Sequence, residues 1–190
     1  MKTTFSKILI IGCTLLIAGC AGMKPTVFLH PQYNLGYVER VAVIPFENLT
    51  ADQGAGARVT RLFITELLST ETFEVVEPGE VSQVMQNYGV VRTADLSQEQ
   101  IKELGRDLGV QALFLGSVNE SSQLRSGSST VSVVTLVISL LDTESGVNVW
   151  SATHTQNGRS LWATLLGTGE KSHGAVSREC VSRTLGTLIQ

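Results

Sequence analysis

Cysteine is scarce in this chain of 190 residues: Cys13, Cys20 and Cys180 are all it has. Neither they nor the histidines His154 and His173 show the Cys-x-x-Cys or i, i+4 spacing of a strong metal site, so no metal and no cofactor is expected. A basic surplus is missing too. Fourteen Lys and Arg stand against seventeen Asp and Glu, which leaves nothing to neutralise a phosphate backbone and excludes nucleic acid as a partner. Nucleotide loops are absent: "GAGARV" opens a helix after a strand, but Val59 stands where a dinucleotide fingerprint needs its last glycine, and no Gly-Lys-Ser/Thr follows. There is no Gly-x-Ser-x-Gly elbow. Asp142 and Glu144 are close enough in "DTESG" to pose as an acid–base pair, yet they sit in a turn, where such residues bond to their own backbone. A non-enzymatic protein is expected.

Apolar runs long enough to cross a bilayer as a helix are also lacking at the amino terminus. Ile8 to Gly19 is free of charge but falls short of the roughly 20 residues required. With Lys2 and Lys7 ahead of it and Ala18 and Gly19 at its exit, it has the layout of a secretory signal. "LLIAGCAG" then resembles the lipobox of bacterial lipoproteins, which implies cleavage between Gly19 and Cys20 and a diacylglycerol on the Cys20 thiol. More than one acyl chain holds a protein stably on a membrane, so the chain is expected to be lipid-anchored through Cys20. Ala21, rather than Asp, after that cysteine implies the outer membrane, with the domain facing the periplasm. Cys13 would leave with residues 1–19, as would two lysines, leaving twelve basic against seventeen acidic residues. Cys180 would then be the one free thiol, with no internal disulfide; its place in an apolar helical pattern favours a buried core residue over pairing between chains.

Residues 20–38 hold two prolines and no sustained period, the composition of a tether reaching at most about 60 Å. Residues 39–190 are expected to form a single domain. "RVAVIPF" is a strand apolar on both faces; Val59, Leu62, Phe63 and Leu67 recur at helical spacing. "TFEVVE" is a second strand. Pro78 suits the first turn of a helix ending at Gly89, and Ser97 with Gln100 forms a capping-box pair for a helix ending at Gly109. "VQALFLGSV", "TVSVVTLVISLLD" and "VNVWSATHT" follow as strands, the last two joined by "TESG", and a helix closes the chain from about Ser172. Asn119 to Thr130 is Ser- and Gly-rich and reads as a loop. His154 alternates with Trp150 and Ala152 and is expected to be partly exposed. The order β-α-β-α-α-β-β-β-α predicts an α+β domain, one mixed β-sheet flanked by helices.

"RVAVIPFENLT", "FEVVEPGEVSQVM", "LGVQALFLGSV" and "LLDTESGVNVWSA" resemble, in that order, segments of the CsgG-like lipoproteins and of the amino-terminal domain of TolB. The resemblance spans about Glu39 to Thr155 and implies a TolB amino-terminal-domain-like fold that assembles with other envelope proteins. The long hairpins that build a pore in one member of that family are not expected here, because neither Asn119–Thr130 nor "NGRSLWATLLGTGEKSHG" supplies two spanning strands.

Two features point to an interface. "VSVVTLVISLL" is apolar on both alternating sets, so Val131, Val133 and Val137 need cover from other helices or from a partner; "SLWATLLG" gathers Trp162, Leu165 and Leu166, either folded onto the core or serving as an anchor for another chain. A homo-oligomer is one form such a surface would take. Two functions remain: a scaffold or accessory component of an envelope export and assembly complex, favoured by the short tether, or a regulatory binding module that activates a peptidoglycan synthase. Either requires the anchor. Cys20→Ala is therefore expected to leave a soluble or uncleaved precursor, while the parent protein fractionates with membranes; a mature, membrane-bound Cys20→Ala protein would refute the lipoprotein reading.

Overall fold

Val41 and Val43 point to one side of the first strong strand and Ala42 to the other, and all are buried. A strand apolar on both sides must sit inside a sheet covered on both faces, and in the computed structural model it does. The structure describes residues 24–89, 93, 96–126, 129–159 and 170–189. Among them seven strands form one sheet: β1 (Thr26–Leu29), β2 (Arg40–Val43), β3 (Glu47–Asn48), β4 (Glu74–Val75), β5 (Ala112–Ser126), β6 (Ser129–Asp142) and β7 (Asn148–Asn157). Their order is β1-β7-β6-β5-β2-β4, with β3 beside β5. β2 pairs parallel with β4 and β5, and β3 pairs parallel with β5, whereas the β5–β6, β6–β7 and β7–β1 pairs are antiparallel. The sheet is mixed, and the α+β class expected from the sequence holds.

Helices α1 (Ala55–Ser69) and α4 (His173–Leu185) cover one face; α2 (Pro78–Tyr88) and α3 (Gln98–Leu108) cover part of the other. On the first face Phe63, Phe114 and Trp150 are fully buried, with Phe114 edge-on to both other rings at 5.0 and 6.4 Å between centroids. On the second, Ala42, Ile44 and Leu113 meet Val81, Ile101, Leu104 and Leu108. The local signals work as their chemistry dictates. Ser97 accepts from the Gln100 amide at 3.2 Å while the Gln100 side chain accepts from the Ser97 amide at 2.9 Å, and Leu96 and Ile101 pack in the same cluster. Gly89 and Gly109 end α2 and α3 at φ of +60° and +61°.

Three expectations are corrected. Residues 20–38 do not all lie outside the fold: Thr26–Leu29 is β1, paired with β7, and the Tyr33 hydroxyl donates to Asp142 at 3.0 Å. Within Asn119–Thr130, residues 119–126 and 129–130 are strand rather than loop, because Ser122 and Leu124 pair with Val133 and Val131 across an antiparallel pair of fifteen- and fourteen-residue strands. Cross-strand pairing there overrides the weak strand propensity of a Ser-rich run. His154 shares a face with Trp150 and Ala152 as alternation requires, but that face lies under α4, and the residue is only 2% exposed.

Helix α3 rests on the β6–β7 turn at Gly105, where a Cβ would lie 2.2 Å from that of Thr143. Thr143 is fixed by hydrogen bonds to the Val110 and Gln111 carbonyls, so neither side yields easily. Gly105→Ala is expected to destabilise the domain by about 1–3 kcal/mol despite alanine's better helix propensity, which urea unfolding would measure; an unchanged or raised midpoint would refute this contact.

Candidate functional site

Among the described residues, the helices that cover the second face of the sheet are α2 and α3, and they reach only part of it. Beyond the amino-terminal end of α3, the outward residues of β5, β6 and β7 line a cleft of about 380 Å³. Leu115, Val137 and Leu141 form its floor, and Leu96 and Ile101 form one wall. Deeper in the sheet Ser139 donates to Ser151 at 3.0 Å, satisfying two hydroxyls between strands. At the mouth the Thr93 hydroxyl donates to Glu47 at 3.0 Å. One buried acceptor, Asn148 Oδ1, has no partner among the described residues. The cleft can take an apolar side chain, and a donor placed beside it would satisfy Asn148. That is the chemistry of recognition.

A second cluster joins residues distant in sequence. Ser121 on β5 donates to Asp52 Oδ2 at 2.7 Å, and its Oγ lies 3.0 Å from Nε2 of His173, the first residue of α4. Arg58 of α1 also pairs with Asp52. The Ser121 bond, opposed by partial desolvation and aided by Arg58, holds the Asp52 carboxyl below its ordinary range. Serine, histidine and aspartate together invite a hydrolase reading, but the geometry is wrong for one. A triad needs the carboxylate on the nitrogen that does not face the serine; here Asp52 sits 3.8 Å from the same Nε2, and the buried His173 Nδ1 has no partner among the described residues. With its proton donated to Asp52, Ser121 is not activated. The cluster instead pins the β3–α1 loop and the start of α4 to the long hairpin. Spacing could not reveal it, because positions 52, 121 and 173 meet only through the fold.

Residues 27–155 match the family model for the peptidoglycan-synthase activator LpoB. The chain belongs to the LpoB family. This corrects the resemblance to the CsgG-like and TolB amino-terminal families, which rested on segments made of strand residues and turns. Two solved structures share the fold: the PelC dodecamer from Paraburkholderia phytofirmans, at 18% identity over 87% of this chain and 96% of that one with a TM-score of 0.59, and lipoprotein GNA1162 from Neisseria meningitidis, at 21% identity over 68% and 90% with a TM-score of 0.54. At such identities the likeness is one of fold. No curated protein matches the sequence.

Within this LpoB-family domain the doubly apolar strand β6 divides its second set. Val131 is buried, Leu141 packs towards α2 and α3, and Val133 and Val137 are half-buried on the partly open face. Trp162, Leu165 and Leu166, like Gly19 and Cys20, lie outside the described residues. Cys180 is fully buried, and burial pushes its thiol up to about 12, as suits a core residue. Asp142 accepts from the Ser145 amide and hydroxyl at 2.7 and 2.5 Å, the local bonding its turn predicts. The buried His154 is the titratable group that the sequence underrated. Burial lowers its pKa below the ordinary 6.5, against a smaller opposing effect from its bond to Gln156. The unfolded chain then takes up a proton that the folded chain resists, so stability falls as pH drops below 6.5 towards the depressed value. His154→Gln is expected to flatten the loss of urea midpoint between pH 7.5 and 5; an equal loss in both proteins would refute the assignment.

Proposed function

We propose that this chain is a non-enzymatic lipoprotein of the outer membrane, held by acyl chains on Cys20, whose periplasm-facing domain binds and activates a peptidoglycan synthase. The family match is the observation that carries the reading, since it spans 27–155 and takes in the core strands and every residue named in the cleft. It favours the regulatory module over the export scaffold. Activation by binding needs a surface rather than a reaction centre, and the cleft beside α3 offers one, with apolar walls and the unpaired Asn148 acceptor. Interfaces concentrate their energy in such desolvated anchor pockets. A structural neighbour, GNA1162, is itself described as a lipoprotein.

The anchor sets the geometry of the encounter. Only six steps of chain separate Cys20 from Thr26, a span of at most about 20 Å. The domain is thus kept close to its membrane, and the synthase must reach it there.

In a reconstituted assay, the protein is expected to bind a bifunctional peptidoglycan synthase and to raise its rate of glycan-chain polymerisation from lipid-linked precursor. Val137→Glu, which puts a charge into the cleft, should weaken that binding at least tenfold, about 1.4 kcal/mol, with little change in melting temperature because Val137 is half-buried. Absence of both binding and stimulation across the synthases of the same cell would refute the proposal, and full affinity in Val137→Glu would move the contact elsewhere.

A further inference from the structure

Strand β1 is an edge strand, and its three apolar residues are poorly covered: Val27 is 43%, Phe28 48% and Leu29 52% exposed. Its pairing with β7 tells which backbone groups are free. His30 donates to the Val149 carbonyl at 2.8 Å, and the register pairs Phe28 with Ser151 and Thr26 with Thr153. In an antiparallel ladder alternate residues bond to the same neighbour, so Thr26, Phe28 and His30 face β7, while the N–H and C=O groups of Val27 and Leu29 point outward. Among the described residues no strand pairs with that side. Side chains alternate as well. Val27 and Leu29 lie on the face of Ala152 and Trp150, and Phe28 lies on the opposite face with Ser151.

Edges are ordinarily blunted by charge, proline or shortness. The other edge, β4, is two residues long and carries Glu74, bridged to Arg40 at 3.0 Å. β1 carries no charge. Its prolines stand outside it, at positions 25 and 31, three residues on either side of Phe28. Neither has an N–H to leave unpaired. The free edge is therefore a short window with two donors, apolar on both faces, and symmetric about Phe28.

From this self-complementarity we infer that β1 pairs antiparallel with β1 of a second copy about a two-fold axis through Phe28. In that register Val27 lies opposite the partner's Leu29, and each exchanges both backbone bonds with it. Both outward donors of each copy are satisfied, and Pro25 falls opposite the partner's Pro31. Phe28 meets its own counterpart across the axis on one face, while Val27 and Leu29 interleave on the other, where aromatic and branched cross-strand pairs are favourable. A lipid bilayer is the poorer occupant, because inserting the edge would leave its donors without partners in hydrocarbon. The pairing does not depend on the synthase.

The test uses the full-length protein extracted in non-ionic detergent. Light scattering is expected to give a dimer or a larger even-numbered assembly. Phe28 sits at a non-bonded position on the axis, where Cα atoms approach to about 4.5 Å, inside the range a disulfide accepts. Phe28→Cys should therefore cross-link to itself under mild oxidation, and Leu124→Cys, an exposed residue on β5, should not. Val27→Pro removes one outward donor that β7 does not use, and Phe28→Lys sets like charges face to face. Each should raise the dissociation constant at least tenfold with an unchanged unfolding transition. The inference is overturned if the parent protein is monomeric at 100 μM, or if Phe28→Cys cross-links no faster than Leu124→Cys. It is overturned too if assembly survives in both Val27→Pro and Phe28→Lys. Synthase stimulation by a monomeric parent protein would sink the pairing alone and leave the proposed function standing.

Discussion

The parallel pairing of β2 with β5 is the constraint on which the rest depends. Val41, Ala42 and Val43 align with Ala112, Leu113 and Phe114, and alternation sends buried apolar side chains to both sides of the two strands. Two separate clusters grow from that seam, one under α1 and α4 and the other under α2 and α3. The need is less symmetrical further along the sheet. On β6, Val134, Leu136, Ile138 and Leu140 are buried on the first face, whereas Val133, Thr135, Val137 and Ser139 on the second are only half-buried. Helices are obligatory where β2 and β5 are apolar on both sides and dispensable where serine and threonine take over. The cleft is the boundary between those regimes.

Much of the scaffold was legible because its signals are local. Pro78 at a helix start, the reciprocal bonds of Ser97 and Gln100, and glycines held at positive φ after α2 and α3 are decisions made within a few residues. Hydrophobic period located β2, β6, β7 and α1. What escaped depends on partners far away. The four residues of β1 show no period of their own and become a strand through β7, more than a hundred residues later. The outer half of β5 reads as loop from its serines until Val131 and Val133 are seen opposite. Alternation placed His154 beside Trp150 on one face, but it could not say that α4 would cover that face.

The same distinction separates fold from site. The Asp52, Ser121 and His173 cluster contains the residue types of a hydrolase, and residue type alone would nominate it. Direction of hydrogen bonding decides against that, since a serine that donates to a carboxylate holds its proton. Its bonds instead tie together the loop entering α1, the hairpin and the start of α4. Ser121 lies opposite Val134, on the α1 and α4 side of the hairpin, so the cluster braces from behind the stretch of β5 and β6 whose other face carries Val133. A partner that presses on that surface meets a rigid hairpin, and rigidity at a binding face reduces the ordering that association must otherwise supply.

Anchor and edge constrain each other. With lipid on Cys20, as proposed, the spacer to Thr26 is only six steps of chain, and β1 would be the element of the fold held nearest the membrane. An antiparallel pair of β1 strands would set the two Thr26 residues about 13 Å apart along the strands, at roughly 3.3 Å per residue. Two spacers of about 20 Å each can bring both lipids to one bilayer from that separation. A pair of anchors set apart along one rigid sheet would resist tilting of the strands towards or away from the membrane, as a single tether cannot. The cleft lies on the face of β6 and β7 that also carries Phe28, so limiting that tilt would also limit the directions in which the cleft is presented. Orientation, which a flexible tether leaves free, would then be set by the first strand of the fold.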